Sequence, residues 1–576
     1  MPSIRTNIVV RLVPLLAAAS ALTALASCRV VDQRGSEPPY DVVIVNGRVI
    51  DGTGAAWFYG DIAVRDDRIV RIAPRGALGD EAGDTIDARG MVVSPGFIDI
   101  QSHSRGSFIT GDGRVVSKVT QGITTEIMGE AESNGPANAH TLTSDSLGDT
   151  AFARANAAFA NPGGFGKWLD AMVDHGVSVN VGSFLGATSV RLYAKGMAPG
   201  EATPAELDTM RAIVREAMED GAFGIGTALI YPPGNYVSTA ELVELAKAMA
   251  PYGGIYITHM RSEANQLLEA IDEAIAIGRR GGVPVEIYHL KAAGVRNWPK
   301  AAQAIARIDS ARQAGLDVQA NMYPYVAGGT GLAACLPPWS AADGKLFDNI
   351  RDSATRVRIT AEVLADTSDW ENLCSLSTPP NVKVVGFESD SNLQFEGLRL
   401  DSLARLRGKN WVETVMDLTL EEEGRLGSLF FMAQEENLVL QMRQPWIKFG
   451  TDAGGFDPDS ATRLTHPRAY GTFPRILGRY VREQQVMPLE EAIRKMSSAV
   501  ATRLGIQQRG VLREGMYADI VVFDPETVID NATYEEPHTL STGIRDVFVN
   551  GVAVVRNGAH TGAKPGRVVR GRGAVD

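Results

Sequence analysis

Six residues are of types that do chemistry, and each stands at or just past the end of a short apolar run: His103, Glu130, His259, His289, Tyr323 and Asp452. A single histidine in a loop or core more often satisfies a hydrogen bond than binds an ion. Six such residues at six run ends are a different matter. Imidazoles and carboxylates at one place supply the nitrogen and oxygen donors that suit a borderline cation such as zinc. Zinc lowers the pKa of a bound water from about 15.7 to about 7, and a nearby carboxylate can then take and return a proton. That combination is hydrolytic chemistry.

The elements that must position these residues are short strands alternating with helices. Candidate strands lie at 91–104, 122–130, 177–186, 222–230, 254–260, 283–289, 317–325 and 446–453. Eight in one alternating series predict an α/β fold, a (β/α)8 TIM-like barrel over 91–504. In such a barrel the C-terminal strand ends converge on one mouth, where active sites are found. His259 and His289, 30 residues apart, are about one βα unit apart and therefore on adjacent strands. Helical stretches such as "AELVELAKAMA" (240–250) carry apolar residues at spacings of three and four, as an outer ring requires. The rhythm breaks at about 337–440, which has its own strand at 381–389 and reads as an insertion after strand seven that could close over the mouth as a lid.

Both ends of the chain read differently. Residues 41–54, 61–74, 518–524 and 546–558 are β-rich, with Asn46-Gly47, Asp66-Asp67 and Asn550-Gly551 as hairpin signals. They predict a small β domain built from 40–90 and 505–576. Ahead of it, a basic start and the apolar run "LVPLLAAASALTALASC" read as an export signal over 1–28. Leu25-Ala26-Ser27-Cys28 resembles a bacterial lipobox, with Cys28 as the lipidated residue and 29–39 as a polar tether. The expected location is the cell envelope, with membrane contact only through that anchor. Cys335 and Cys374 are the remaining cysteines, too few for a disulfide framework but enough for a single bond in an oxidising compartment. With 576 residues, 44% hydrophobic, the chain can bury a large core. A net charge of −12 without a clustered basic footprint argues against nucleic acid as a partner.

The segments "SPGFIDIQSHS", "VTQGITTE", "THMRSEA", "VEIYHLK", "MYPY", "GTDAGG", "HPRAYGTFPRILGRYVRE" and "RGVLREGMYADIVVFDPETVID" resemble, in this order, the amidohydrolase superfamily in its N-acyl-D-amino-acid deacylase (D-aminoacylase) branch. The resemblance covers residues 40–560. It implies a metal-dependent hydrolase that removes the acyl group from an N-acylated D-amino acid. It also implies that His259 and His289 hold Zn²⁺, that Asp452 is the general acid/base, and that Lys291 and Tyr323, with Arg468 as a weaker candidate, contact the substrate carboxylate.

The chain departs from that pattern in places. Where the branch has a His-x-His pair, Gln101 replaces the first histidine and His103 remains; where it has a metal-binding cysteine, Ala131 stands. Glu130 is then the expected third ligand, with Glu132 as the alternative. His103 and Gln101 become residual positions of a second metal site, and one zinc or other divalent ion per chain is expected. Ala187 and Gly329 replace polar positions near the substrate and loosen the expected specificity. Other readings stay open: a dihydroorotase-like, isoaspartyl-dipeptidase-like or xenobiotic amidase, or a non-catalytic envelope binding lipoprotein.

Overall fold

The computed structural model describes residues 39–79, 82–145, 150–365 and 370–575. The expected signal segment with Cys28, and all of the tether but its last residue, lie outside the described residues.

All eight candidate stretches contribute a barrel strand. Numbered within the barrel, they are β1 (Phe97–Asp99), β2 (Ile123–Met128), β3 (Asn180–Ser183, continuing as Leu185–Gly186), β4 (Gly224–Ala228), β5 (Ile255–His259), β6 (Val285–Ile287), β7 (Val318–Met322) and β8 (Ile447–Phe449). Each pairs in parallel with the next, from β1 to β8. A parallel bridge from Ser102 to Ala453, with Asp452 N donating to Gln101 O at 2.8 Å, closes β8 onto β1. Asp99 fastens that seam by accepting from Thr451 N (2.9 Å) and the fully buried Lys118 Nζ (2.8 Å).

The helices take their places for local reasons. Pro204–Glu219 starts at a capping box in which Thr203 and Glu206 satisfy each other's backbone amides. Thr239–Met249 is capped by Ser238 accepting from Glu241 N. Their apolar faces, including Met210, Val214, Leu242 and Leu245, pack into the main core with the strands.

The first candidate strand divides. Val92–Pro95 belongs to a nine-stranded sheet, and only Phe97–Asp99 enters the barrel. Gly96 stands at the change of sheet, where a Cβ would lie 2.1 Å from the Thr124 hydroxyl. The nine-stranded sheet takes strands from both chain ends: Ile520–Phe523 pairs antiparallel with Val92–Pro95, which pairs in parallel with Tyr40–Val49. Asp66-Asp67 and Asn550-Gly551 form tight turns, joining Arg65 to Arg68 and Val549 to Val552. Asn46-Gly47 does not. The strand Tyr40–Val49 runs through it with a bulge, because Asn46 N bonds Asp61 (2.9 Å) and its side-chain amide bonds Asp87 (3.0 Å).

The insertion after β7 begins already at Ala327. Ala327–Gly331 pairs antiparallel with Gly427–Phe431, which pairs antiparallel with Val382–Val385. "AGGTG" carries no alternating apolar pattern, so nothing in the sequence marked it as a strand. The insertion has its own core around Val382, Val384, Phe430, Leu403 and Val415. Cys335 and Cys374, both fully buried, form a disulfide with Cα atoms 5.3 Å apart.

Candidate active site

The barrel mouth is built by strand ends that turn sharply. Gly129 closes β2 with φ +101°, and a Cβ there would lie 2.1 Å from Phe184 O. This turn delivers Glu130 into the mouth. His289 (φ 32°) and Asp452 (φ 50°) leave β6 and β8 in the left-handed region, a cost that packing must hold in place. The fixing is visible at His289, whose N–H donates to Asn321 Oδ1 at 2.9 Å.

Glu130 Oε1 lies 3.2 Å from His259 Nδ1 and 3.2 Å from His289 Nε2. All three side chains are nearly inaccessible to water. A second group, His103, Glu130 and Asp452, adjoins it, with His103 Nε2 2.9 Å from Asp452 Oδ1 and 3.4 Å from Glu130 Oε2. Each group has three ligand atoms within 4.8 Å of one another, so either could hold a cation.

The charges point the same way. Burial opposes ionisation of Glu130, yet His289, His103 and His259 hold its carboxyl well below the usual range. Burial and Lys291 oppose a proton on His289, but Glu263 and Glu130 push its pKa up to about 9. Crowding by its neighbours opposes the proton on His103, although 39% of the side chain stays open to solvent, and its bonds to Asp452 and Glu130 push it up to about 9. The carboxylates therefore demand positive charge between them, and with imidazoles for partners the donor set fits a divalent ion in place of protons.

The remaining predicted residues divide. Gln101, 2% exposed, donates from Nε2 to Glu130 Oε2 at 2.5 Å. Glu132 turns away and pairs with Arg105 at 2.5 Å, so it does not join the cluster. Arg468, buried on the far side, pairs with Asp452 Oδ2 at 2.6 Å, and its Nε has no hydrogen-bond partner among the described residues. Burial raises the Asp452 pKa, but the Arg468 charge, the His289 charge and the His103 hydrogen bond together keep the carboxyl below its ordinary value. Tyr323 lies between two cations, with Arg468 4.7 Å and Lys291 5.6 Å from its ring centre.

Two acids were missed in the sequence. Glu263, buried, bonds Lys291 Nζ at 2.8 Å and stands 2.8 Å from His289 Nδ1. Its signal was in view: it lies four residues after His259 within "THMRSEA". Glu371 comes from the insertion and accepts the Glu263 backbone N–H with both oxygens, at 2.8 and 3.0 Å. Glu130, His259, Glu263, His289, Lys291 and Asp452 line a cavity of about 350 Å³, whose insertion wall includes Leu373, Phe430 and Met432.

Fold and site together define a (β/α)8 hydrolase with a carboxylate–imidazole cation centre at the barrel mouth. Comparison with known proteins agrees. The amidohydrolase family signature matches residues 385–555. The D-aminoacylase of Alcaligenes xylosoxydans xylosoxydans is 33% identical over 540 residues, covering 92% of this chain and 98% of its own. A D-aminoacylase crystal structure superposes with a TM-score of 0.76 at 31% identity, covering 92% of this chain and all of the other. The N-acyl-D-glutamate deacylase of Bordetella bronchiseptica, solved with zinc and a phosphonate mimic of the tetrahedral intermediate, gives 0.75 at 31%, covering 92% of this chain and 99% of its own. The chain belongs to the amidohydrolase family, in the branch of D-aminoacylases and N-acyl-D-amino-acid deacylases. It is a metal-dependent hydrolase acting on amide bonds.

Proposed function

We propose that this protein removes the acyl group from N-acyl-D-amino acids, using one zinc ion held by Glu130, His259 and His289. The observation that carries this reading is the Glu130 oxygen placed 3.2 Å from each imidazole in a buried pocket. A bound zinc supplies Lewis acidity toward the amide carbonyl and acidity to the attacking water. Asp452 takes the proton of that water and returns it to the nitrogen as the C–N bond breaks, leaving a carboxylate and a free amine. Its low pKa keeps it ionised and ready to accept. The Arg468 guanidinium, the Tyr323 hydroxyl and the Lys291 ammonium grip the α-carboxylate of the substrate. Glu263 holds Lys291 and the outer nitrogen of His289 in place.

The single-metal reading rests on occupied partners at the second position. Gln101 already donates to the other oxygen of Glu130, and Arg468 and His103 take the two oxygens of Asp452. The D-configuration comes from the relatives, which include N-acyl-D-aspartate and N-acyl-D-glutamate deacylases. Elemental analysis of the purified protein tests the centre, and a panel of N-acetyl-D-amino acids against their L-forms tests the reaction. About one zinc per chain and D-selective turnover are expected; a metal-free, inactive protein that zinc does not restore sinks the reading. Export and lipidation at Cys28 belong to the same proposal, checked by labelled palmitate incorporation into wild type and Cys28→Ala.

A further inference from the structure

The catalytic cavity does not end at the metal cluster. A second cavity of about 600 Å³ shares His103, Gly329, Thr330, Asp452 and Arg468 with it and runs between the insertion and the loop after β8. Resting on the amide-hydrolase reading above, we infer that this trough receives a long apolar acyl chain, so that the substrates are N-fatty-acyl amino acids rather than N-acetyl ones.

Three features of the trough carry the inference. Its walls include Val385, Leu429, Phe456 and Leu464. Phe456 is 38% exposed, an aromatic surface that a chain would cover. Glycines leave it open: a Cβ at Gly427 would meet only Val385, at 3.5 Å, and one at Gly454 would meet the His103 carbonyl at 3.4 Å and Phe456 at 3.7 Å. The backbone would tolerate side chains there, and their absence is the space. The charged side chains on the wall include Arg425 and Glu388, which pair with each other at 3.0 Å.

Direction follows from what flanks the reacting centre. On the amide-hydrolase reading the amino-acid half would fill the first cavity, where Lys291, Tyr323 and Arg468 would face its carboxylate and the apolar Leu373, Phe430 and Met432, which line the same cavity, would suit its side chain. From the carbonyl, one way out crosses the Arg105–Glu132 ion pair, where an apolar chain would strip water from charges. The other passes His103 and Asp452 into the trough. The bond broken is the same amide C–N bond: the water oxygen ends in the fatty carboxylate and the proton on the amine.

The test compares N-acetyl-, N-hexanoyl- and N-dodecanoyl-D-leucine, measuring kcat/KM and, by calorimetry, Kd, in wild type, Gly427→Leu and Phe456→Ala. Each added methylene that leaves water strengthens binding, so kcat/KM should rise at least ~10-fold from acetyl to dodecanoyl. Gly427→Leu should erase that rise and Phe456→Ala should reduce it, both with N-acetyl turnover unchanged. Should Gly427→Leu fail to fold, Phe456→Ala, altered at an exposed ring, still decides. A flat series in wild type, in both kcat/KM and Kd, overturns the inference. Tighter binding with chain length but no turnover of any substrate supports the trough and overturns the amide-hydrolase reading instead.

Discussion

At Glu130 one carboxylate meets three partners. Its Oε1 faces two imidazoles while its Oε2 is engaged by Gln101. Glu130→Gln removes the charge without changing the shape, and metal content should fall from about one equivalent to near none, read by elemental analysis. With Asp452 as the proposed proton carrier, Asp452→Asn should keep the metal yet lose ~10²–10⁴-fold in kcat. Equal metal loss in both variants would mean that Asp452 is a ligand. The residue types were legible: His259, His289 and Asp452 each end an apolar run. Glu132 was legible as a rival, and only its turn toward Arg105 removed it from the cluster.

The element that sequence reading understated is the insertion. Through Glu371 it holds the Glu263 backbone, and through Glu263 it reaches Lys291 and His289. Lys291→Met leaves the buried Glu263 with His289 as its nearest cation and should cost about 3 kcal/mol, the low end for breaking a buried pair, in denaturant unfolding. The double variant with Glu263→Gln should recover much of that loss. Glu371 gives a pH signature. Burial beside Glu263 pushes its carboxyl up to about 8, so the folded chain keeps a proton that the unfolded chain releases near 4.5. Its contribution is complete below pH 4.5 and is lost as pH rises through about 8. Glu371→Gln should flatten that decline, by on the order of 2 kcal/mol between pH 5 and 8, in urea titrations. Glu371 had no sequence signal, because a loop acid follows no period and its partner is 108 residues away.

For the whole molecule, two cross-links over long stretches of chain matter most. The Cys335–Cys374 bond spans 39 residues inside the insertion. Loop-closure entropy assigns it about 4 kcal/mol, and Cys335→Ser or reduction should lower the melting temperature accordingly, before the barrel is affected. The nine-stranded sheet joins Tyr40–Val49 to Ile520–Phe523 through Val92–Pro95, tying both ends of the described chain to one sheet.

Sequence alone determined what local pattern can determine. Eight apolar runs alternating with amphipathic stretches sufficed for the barrel, and polar residues at the run ends sufficed for the mouth, because strand direction places those ends together. Periodicity could not see what distant partners decide. Asn46-Gly47 has the composition of a hairpin turn, but its bonds to Asp61 and Asp87 make it a bulge within a continuous strand. The "SPG" of residues 94–96 reads as one strand with its neighbours, yet contact with Thr124 at Gly96 makes it the change between two sheets. The position of Glu130 beside His259 and His289, the grip of Glu263 and Glu371, and the trough past Asp452 likewise exist only in the tertiary structure. Each depends on groups far apart in the chain meeting at short distance, and no local pattern records such a meeting.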